Sequence, residues 1–272
     1  IYHTQKHVNI GFHSLAEKIS EQNLVVIDGM PGVNWDNFRE QLNRSLVLKK
    51  KNVFWYDIKT CLKKRAKDFT MSLDSQSESS VSAIEEKQGA LIDLFDADKI
   101  KLLAMDPKAD INIVYGTGAQ LWGNKGYLIY VDMSKEQVQV QLSSSRSYFF
   151  NVAANSSEEV INKRFLLLDA PLLNQHKTKL LAKIDCVVDG HRTENITWIN
   201  GADFRQVLKK MWLHSFINDS EEIIEDADHT ISNMDWSFDF LHPDRGLVIS
   251  GNQHLLNLSM EFLVHLKNYH TL

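Results

Sequence analysis

Short apolar runs alternate with helix-like stretches along most of the chain, and this alternation predicts a parallel sheet covered by helices. The strongest strand is 24–27, Leu-Val-Val-Ile, whose β-branched residues favour a buried extended segment. A turn rich in glycine and proline follows at 28–32. Beyond it, Trp35, Phe38 and Leu42 recur at helical spacing among polar residues. The first predicted unit is therefore a strand, a turn and an amphipathic helix.

Four further apolar runs have the length and composition of strands. They are 53–57, 111–115, 127–132 and 164–169, and each ends at a polar or glycine-rich segment. We therefore predict the α/β class, with a mostly parallel sheet and helices on both of its faces. The segment 72–82 holds six serines in eleven residues, which is too polar for a core and predicts a loop.

The character of the sequence changes toward its C-terminal end. The acidic segment 220–228 predicts a solvated linker or helix, with a metal-binding acidic loop as the alternative. From Trp236 onward aromatic and polar residues alternate, and Pro-Asp-Arg-Gly at 243–246 predicts a turn into a second strand. We predict an α/β domain at 1–215, followed at 216–272 by an acidic linker and a small β-hairpin region.

Composition and charge exclude several classes of protein. The 272 residues carry 30 Lys and Arg against 35 Asp and Glu, and this net charge of −5 lacks the basic field of a nucleic-acid-binding protein. No apolar run approaches the roughly 18 residues needed to cross a bilayer. The two cysteines, Cys61 and Cys186, lie far apart in sequence and form no disulfide framework. We expect a cytoplasmic protein that binds neither nucleic acid nor membrane.

The turn after the first strand has features of a phosphate site. Backbone N–H groups near Gly29 and Gly32 and the start of the following helix could hold an anion. The full P-loop pattern adds a lysine for the phosphates and a hydroxyl for Mg²⁺, whereas Val-Asn-Trp-Asp at 33–36 supplies neither. Gly29 and Gly32 are therefore candidate phosphate-binding residues, with a purely structural turn as the alternative.

Other candidate residues follow later strands. Gly116 and Gly118 form a second glycine turn, which could bring backbone close to a phosphate or serve as a tight strand-to-helix connection. Asp57 ends its strand and is the candidate catalytic residue, as a base or Mg²⁺ ligand, with helix capping as the alternative. Arg146 and Lys163 are candidate phosphate-binding residues because cations pair with phosphate oxygens, with solvent-exposed surface as the alternative.

The sequence points to no metal ligands. It has neither a Cys-x-x-Cys nor a His-Glu-x-x-His motif, so no metal-binding residue is assigned and zinc is not expected. Mg²⁺ accompanying a nucleotide is the cofactor that this interpretation keeps. The basic pairs at 176–177 and 191–192 add local positive charge but are too isolated to mark a nucleic-acid interface.

Several segments together resemble a known family. They are VVIDGMPGVNWDNF, NIVYGTGAQL, LIYVDMSKEQVQ, KRFLLLDAPLLNQHK, ITWINGADFR and MDWSFDF. Over most of 24–262 the chain is similar to the amino-terminal extension of large bacterial class I mannose-6-phosphate isomerases. This resemblance implies a P-loop-kinase-like fold with a degenerate phosphate loop. In that family a zinc-dependent cupin region isomerises the sugar, and it lies mainly beyond the matched segments. The acidic segment 220–228 also replaces the family's Glu-Pro-Gly-x-Trp-Gly-Gly stretch.

Three hypotheses of function follow from the residues and the resemblance. The first is a domain that binds a phosphorylated sugar or a nucleotide at the carboxyl edge of its sheet, without full catalytic activity. The second is a pseudoenzyme or protein-interaction module, with the C-terminal hairpin as the expected route to an oligomer. The third is a metal-dependent mannose-6-phosphate isomerase in carbohydrate metabolism. The sequence leaves open whether the chain is an enzyme.

Overall fold

The computed structural model describes residues 8–63, 89–133, 169–191 and 194–208, together with 137–138, 140–141, 161, 164–165, 240–242 and 246–248. Its strands are β1 Asn9–Ile10, β2 Leu24–Gly29, β3 Val53–Asp57, β4 Ile111–Tyr115, β5 Tyr127–Asp132, β6 Cys186–Asp189, β7 Thr197–Asn200, β8 Phe240–His242 and β9 Gly246–Val248. Its helices are α1 Gly11–Ile19, α2 Trp35–Leu48, α3 Ala97–Lys101 and α4 Ala170–Leu180, and residues 201–208 are also helical. Short 3-10 helices lie at Ile58–Cys61, Leu91–Leu94, Ala119–Trp122 and Leu181–Lys183. Among the described residues, no helix is long and apolar enough to span a membrane.

Seven strands form one sheet in the order β1-β7-β6-β5-β2-β4-β3. The five strands from β3 to β6 in this order run parallel to one another, whereas β7 pairs antiparallel with β6 and β1. The predicted α/β class with a mostly parallel sheet is confirmed. Because β2 lies between β4 and β5, the residues that follow β2 stand in the middle of the sheet's carboxyl edge.

The central strands form because their sequences are apolar almost without interruption. All five residues of β4 are buried, and so are the last five of both β2 and β5. Parallel strands that are covered on both faces require this continuous pattern. The helix α2 begins where the Asn34 side chain accepts a hydrogen bond from the N–H of Asn37, and it buries Phe38, Leu42 and Leu46. The strands predicted at 53–57, 111–115 and 127–132 coincide with β3, β4 and β5.

Helices cover both faces of the sheet. On one face the indole N–H of Trp55 in β3 donates to Oδ1 of Asn43 in α2 at 2.9 Å. On the same side α1 packs against α2 through an edge-to-face contact between Phe12 and Phe38. On the other face Lys177 of α4 places Nζ 5.6 Å from the ring centroid of Tyr130 in β5. The registers align Trp55 with Val25 of β2 and Tyr130 with Asp28. Residues an odd number apart in one strand point to opposite faces, so α2 and α4 lie on opposite sides.

The strand predicted at 164–169 is wrong. Its described residues, Arg164, Phe165 and Asp169, are helical and lead into α4. The apolar residues of this run are mostly leucine, which favours a helix, whereas strands are richer in β-branched residues. The fifth parallel strand is instead β6, whose Cys-Val-Val-Asp sequence is fully buried beside β5.

The predicted C-terminal hairpin is confirmed at the level of its backbone. The strands β8 and β9 pair antiparallel, with Phe240 opposite Val248 and His242 opposite Gly246. They flank the stretch where the sequence predicts a turn. The serine-rich segment 72–82, the acidic segment 220–228 and the domain boundary predicted between 215 and 216 lie outside the described residues.

We expect Gly29→Ala to destabilise the fold. A Cβ at this position would lie 2.2 Å from the carbonyl oxygen of Val131, so β2 and β5 could not keep their spacing. Overpacking of this kind lowers the free energy of unfolding by about 1–3 kcal/mol. Chemical denaturation followed by circular dichroism measures the change. The control is Gly123→Asn, because a Cβ on Gly123 enters open space and asparagine tolerates its φ of +79°. Equal losses in both variants would contradict the packing explanation.

Candidate functional site

Four of the five parallel strands carry an aspartate at their carboxyl ends. These residues are Asp28 in β2, Asp57 in β3, Asp132 in β5 and Asp189 in β6. The remaining strand, β4, ends at Tyr115 and continues into the turn Gly116-Thr117-Gly118. Ligands of open α/β sheets bind outside the carboxyl ends of the strands. The four aspartates and this glycine turn therefore define the candidate site, which we call the carboxyl edge.

The buried carboxylate of Asp28 joins three segments of the chain. Its Oδ1 accepts hydrogen bonds from the N–H groups of Gly29 at 2.7 Å and Gly118 at 2.8 Å. Its Oδ2 accepts from the N–H of Gln120 at 2.9 Å and from Nε2 of His176 at 2.8 Å. Because β2, the turn after β4 and α4 all supply donors, Asp28 fixes the glycine turn and holds α4 over the sheet.

Lys177 follows His176 in α4 and forms a buried ion pair with Asp132. Its Nζ lies 2.8 Å from Oδ1 and 2.9 Å from Oδ2 of that carboxylate. Burial raises the pKa of Asp132, and the positive charge of Lys177 opposes this rise. Burial also holds the pKa of Tyr130 well above its usual range. Two consecutive residues of α4 thus bind the aspartates of β2 and β5.

Asp189 is aligned with Asp132 in the neighbouring strand and pairs with a second histidine. Nδ1 of His191 lies 2.6 Å from Oδ1 of Asp189, and the backbone N–H of His191 donates to the same oxygen at 2.9 Å. The other carboxylate oxygen is buried without a hydrogen-bond partner in the described part of the chain, as is Oγ1 of Thr197 opposite it in β7. A water or a ligand hydroxyl can satisfy such groups.

The turn between β2 and α2 uses its backbone N–H groups within the protein. Internal donors belong to Gly29, Met30, Val33, Trp35 and Asn37. An anion-binding turn instead directs several such groups at its ligand. Most of the donors that a phosphate would need are therefore already engaged.

The two glycines of this turn face protein atoms. A Cβ on Gly29 would meet the backbone of Val131, as described for β2 and β5. A Cβ on Gly32 would lie 2.8 Å from Sδ of Met133 and 3.0 Å from Cα of Val138. Close packing against β5 and the segment after it thus accounts for glycine at both positions.

Asp57 has a more open environment than the three buried aspartates. It is half-buried, and its Oδ1 accepts from the N–H of Lys59 at 2.8 Å, so it caps the 3-10 helix that follows. Burial raises the pKa of Asp57, while that N–H and the Lys59 charge oppose the rise. Burial, together with the charge of Asp57, raises the pKa of Tyr115. A Cβ on Gly116 would lie 3.5 Å from Oδ1 of Asp57, so Asp57 adjoins the glycine turn.

Part of the predicted phosphate site comes together at the carboxyl edge. Asp28 links Gly29 to Gly118, and Asp57 adjoins Gly116. Gly116 and Gly118 have φ angles of +111° and +87°, which glycine adopts without strain. Gly32, Arg146 and Lys163 are not seen to join this group: Gly32 packs against Met133, and the two cations lie outside the described residues. The roles assigned to all these residues remain predictions.

Sequence reasoning missed the buried pairs of α4. The basic residues at 176–177 look like isolated surface charge, yet His176 is 8% and Lys177 5% exposed. Helical spacing was the available signal, because Leu173 and Leu180 place both residues on the buried face of α4. The second signal was the recurrence of aspartate at strand ends, since buried acids need partners.

The described residues do not form a ligand set for a metal ion. Within them, no three His, Cys, Asp or Glu side chains are grouped in a way that could hold one. The zinc that the isomerase resemblance implies therefore has no ligand set in this part of the chain. At the carboxyl edge, Asp28, Asp132 and Asp189 are instead bonded to basic side chains.

We expect loss of the Lys177 charge to destabilise the protein strongly. Lys177→Met leaves the Asp132 carboxylate buried without its ion-pair partner, which costs about 3–5 kcal/mol of unfolding free energy. Adding Asp132→Asn should recover part of this loss, and urea unfolding of the variants measures the coupling. The control is Lys101→Met, because Lys101 pairs with Asp98 at 3.4 Å on the exposed surface, where such pairs contribute little. A Lys177 variant as stable as this control would contradict the assignment.

Comparisons with known proteins place the chain in a family. A family described as domain of unknown function DUF8485 matches residues 11–212, which is most of the 272-residue chain. The matched range contains every strand of the carboxyl edge and both α2 and α4. Among curated proteins, none matches this chain. The chain belongs to the DUF8485 family.

Proposed function

We propose that the chain is a P-loop-kinase-like domain that binds a phosphorylated sugar or a nucleotide at its carboxyl edge and does not transfer phosphate. The observation that carries this proposal is the half-buried carboxylate of Asp57 beside the turn that begins at Gly116. A relationship to the amino-terminal extension of bacterial class I mannose-6-phosphate isomerases is part of the same proposal.

The strand order supports the kinase-like part of the proposal. The parallel strands follow the order β3-β4-β2-β5-β6. Among these five, β2 comes first along the chain and lies at the centre, whereas β3 comes second and lies at one end. P-loop kinases have the same order. Ligands of such sheets bind where the chain changes from one side of the central strand to the other. Here that point is the carboxyl end of β2, next to the glycine turn after β4.

The surroundings of Asp57 suit a ligand with hydroxyl groups. A carboxylate accepts hydrogen bonds from hydroxyls, and a charged acceptor makes them stronger. Ring centroids of Trp35 and Trp55 lie 6.4 Å and 5.6 Å from that of Tyr115, and aromatic surface can pack against a sugar ring or a base. The positive charges of Lys59 and Arg39 and the negative charge of Asp36 all act on Asp57, and the two cations are the candidate partners of a ligand phosphate there.

The turn between β2 and α2 does not fit the phosphate chain of a nucleoside triphosphate. Most of its N–H groups already bond within the protein, and Met133 fills the space beside Gly32. The residues Val-Asn-Trp-Asp at 33–36 supply neither the P-loop lysine nor its hydroxyl, and an aspartate repels phosphate. No phosphoryl transfer is therefore proposed, and the ligand phosphate is assigned to cations such as Arg39.

We expect sugar phosphates to stabilise the protein through Asp57. Mannose-6-phosphate or fructose-6-phosphate should raise Tm in a saturable way, because a ligand that binds only the native state stabilises it. Asp57→Asn keeps an acceptor for the Lys59 N–H but removes the charge, and should weaken binding by about tenfold or more. The matched control is Asp110→Asn, since Asp110 also accepts one backbone N–H at 2.8 Å but lies at the opposite edge. Calorimetric titration measures both affinities.

The same measurement separates the possible ligands. The panel includes ATP and GTP with and without Mg²⁺, and the two sugar phosphates with and without Zn²⁺. A nucleotide response that requires Mg²⁺ would identify the nucleotide as the ligand, and a zinc-dependent sugar-phosphate response with isomerisation would restore the isomerase hypothesis. Equal affinities of Asp57→Asn and Asp110→Asn would remove Asp57 from the site. No saturable shift with any ligand would overturn the binding proposal.

The engaged N–H groups of the β2–α2 turn favour a second candidate, a pseudoenzyme or protein-interaction module. Such a module keeps the fold and lacks an open phosphate site, so a silent ligand panel would support it. For either candidate we propose a cytoplasmic location, which suits two buried free thiols, Cys61 and Cys186. Neither a nucleic-acid nor a membrane partner is part of the proposal.

A further inference from the structure

The strand β3 is an edge strand with unusual exposure. In the described part of the chain it lies at one end of the sheet and pairs on one side, with β4. Its sequence, Val-Phe-Trp-Tyr-Asp, holds neither the proline nor the lysine that many edge strands use to prevent pairing with other chains. None of its five residues is buried, whereas all five of β4 are. These properties suit a strand that pairs with another chain.

Apolar surface adjoins this edge. Phe54 and Tyr56 lie on the face of β3 away from α2, with ring centroids 5.9 Å apart in an edge-to-face arrangement. They line a shallow groove with Met105, Val114 and Trp122. Phe54 is 36% and Met105 53% exposed, which is high for large apolar side chains next to an unpaired strand.

We propose that two copies of this chain associate by antiparallel pairing of their β3 strands, which continues the sheet across a two-fold axis. Charge complementarity points to a second copy as the occupant of this edge. With Phe54 on the axis, Lys51 of one copy lies opposite Asp57 of the other, and the symmetry creates this pair twice. With Trp55 on the axis, Asp57 would instead lie opposite Val53, and that register forms no pair of opposite charges within β3.

The backbone of β3 is compatible with this register. The carbonyl oxygen of Asn52 accepts from the N–H groups of Asp110 and Ile111, so the backbone of Asn52 faces β4. Because backbone groups alternate sides along a strand, those of Val53 and Trp55 point away from β4. In the register with Phe54 on the axis, Val53 of one copy lies opposite Trp55 of the other. The backbone N–H and C=O groups that point away from β4 in the two copies can therefore form hydrogen bonds with each other.

Dimerisation does not rest on ligand binding, although the two would share a residue. The pairing brings Lys51 of the second copy next to Asp57, the carboxylate used in the proposed function. A dimer that binds no sugar phosphate, or a monomer that binds one, is a distinct experimental result. The two proposals therefore fail separately.

Sedimentation velocity of the full chain tests the association. We expect the wild type to sediment at twice the 31.3 kDa chain mass in the micromolar range. Phe54→Lys should be monomeric, because each copy would place a lysine against its own symmetry mate on the axis. Ile10→Lys is the matched control, since Ile10 is 44% exposed on β1 at the other end of the sheet, and this variant should remain dimeric. A wild type that stays monomeric, or a control as monomeric as Phe54→Lys, would overturn the proposal.

Cysteine crosslinking tests the register without relying on stability. Phe54→Cys should form a disulfide between two copies on mild oxidation with diamide, because residues opposite each other on the axis meet the distance that a disulfide requires. Tyr56→Cys should not, since Tyr56 lies opposite Asn52 of the other copy. Cys61 and Cys186 are buried and provide little background. Crosslinking of Tyr56→Cys but not Phe54→Cys on a non-reducing gel would refute the register.

Discussion

The buried carboxylate of Asp28 is the interaction on which the arrangement of the carboxyl edge depends. It is fully buried at the end of the central strand, and its donors come from β2, from the turn after β4 and from His176 of α4. A buried carboxylate without hydrogen-bond partners lowers the stability of the fold by roughly several kcal/mol. This penalty disappears when all three segments are in place and supply their donors. The strand, the turn and the helix are therefore coupled, and no one of them can move without exposing a charge to an apolar interior.

The ion pair of Asp132 with Lys177 extends the same constraint to the next strand. Buried ion pairs contribute little net stability, because desolvation of both charges offsets their attraction. Their effect is on position: a helix that must bring His176 to β2 and Lys177 to β5 at 2.8 Å has one rotation and one height over the sheet. Lys177 thereby neutralises the charge of Asp132, which leaves the carboxyl edge less repulsive to an anionic ligand than its four aspartates suggest.

Local features of the fold could be predicted from the sequence, and the contacts that build the site could not. Strands at 53–57, 111–115 and 127–132 are apolar and end at turns, so nearby residues suffice to find them. The segment 164–169 is also apolar, but leucine fits a helix, and only the sheet shows that β6 takes the fifth place. Asp28 bonds to Gly118 and His176 across 90 and 148 residues, and no local pattern contains such information. For the same reason the sequence could not show that Gly29 and Gly32 face protein atoms.

A glycine turn after the central strand is thus weak support for a phosphate site, because packing alone requires it here. The Cβ positions of Gly29 and Gly32 coincide with atoms of β5 and the residues that follow, with or without a ligand. A chain that lost phosphate binding would still keep both glycines, whereas the lysine and hydroxyl of a P-loop have no packing role that would preserve them. The residues Val-Asn-Trp-Asp at 33–36 supply neither that lysine nor that hydroxyl, so the glycines of the turn are explained here by packing alone. The proposed binding rests instead on Asp57, whose half-buried carboxylate accepts a backbone N–H and, within the described residues, is not bonded to a basic side chain.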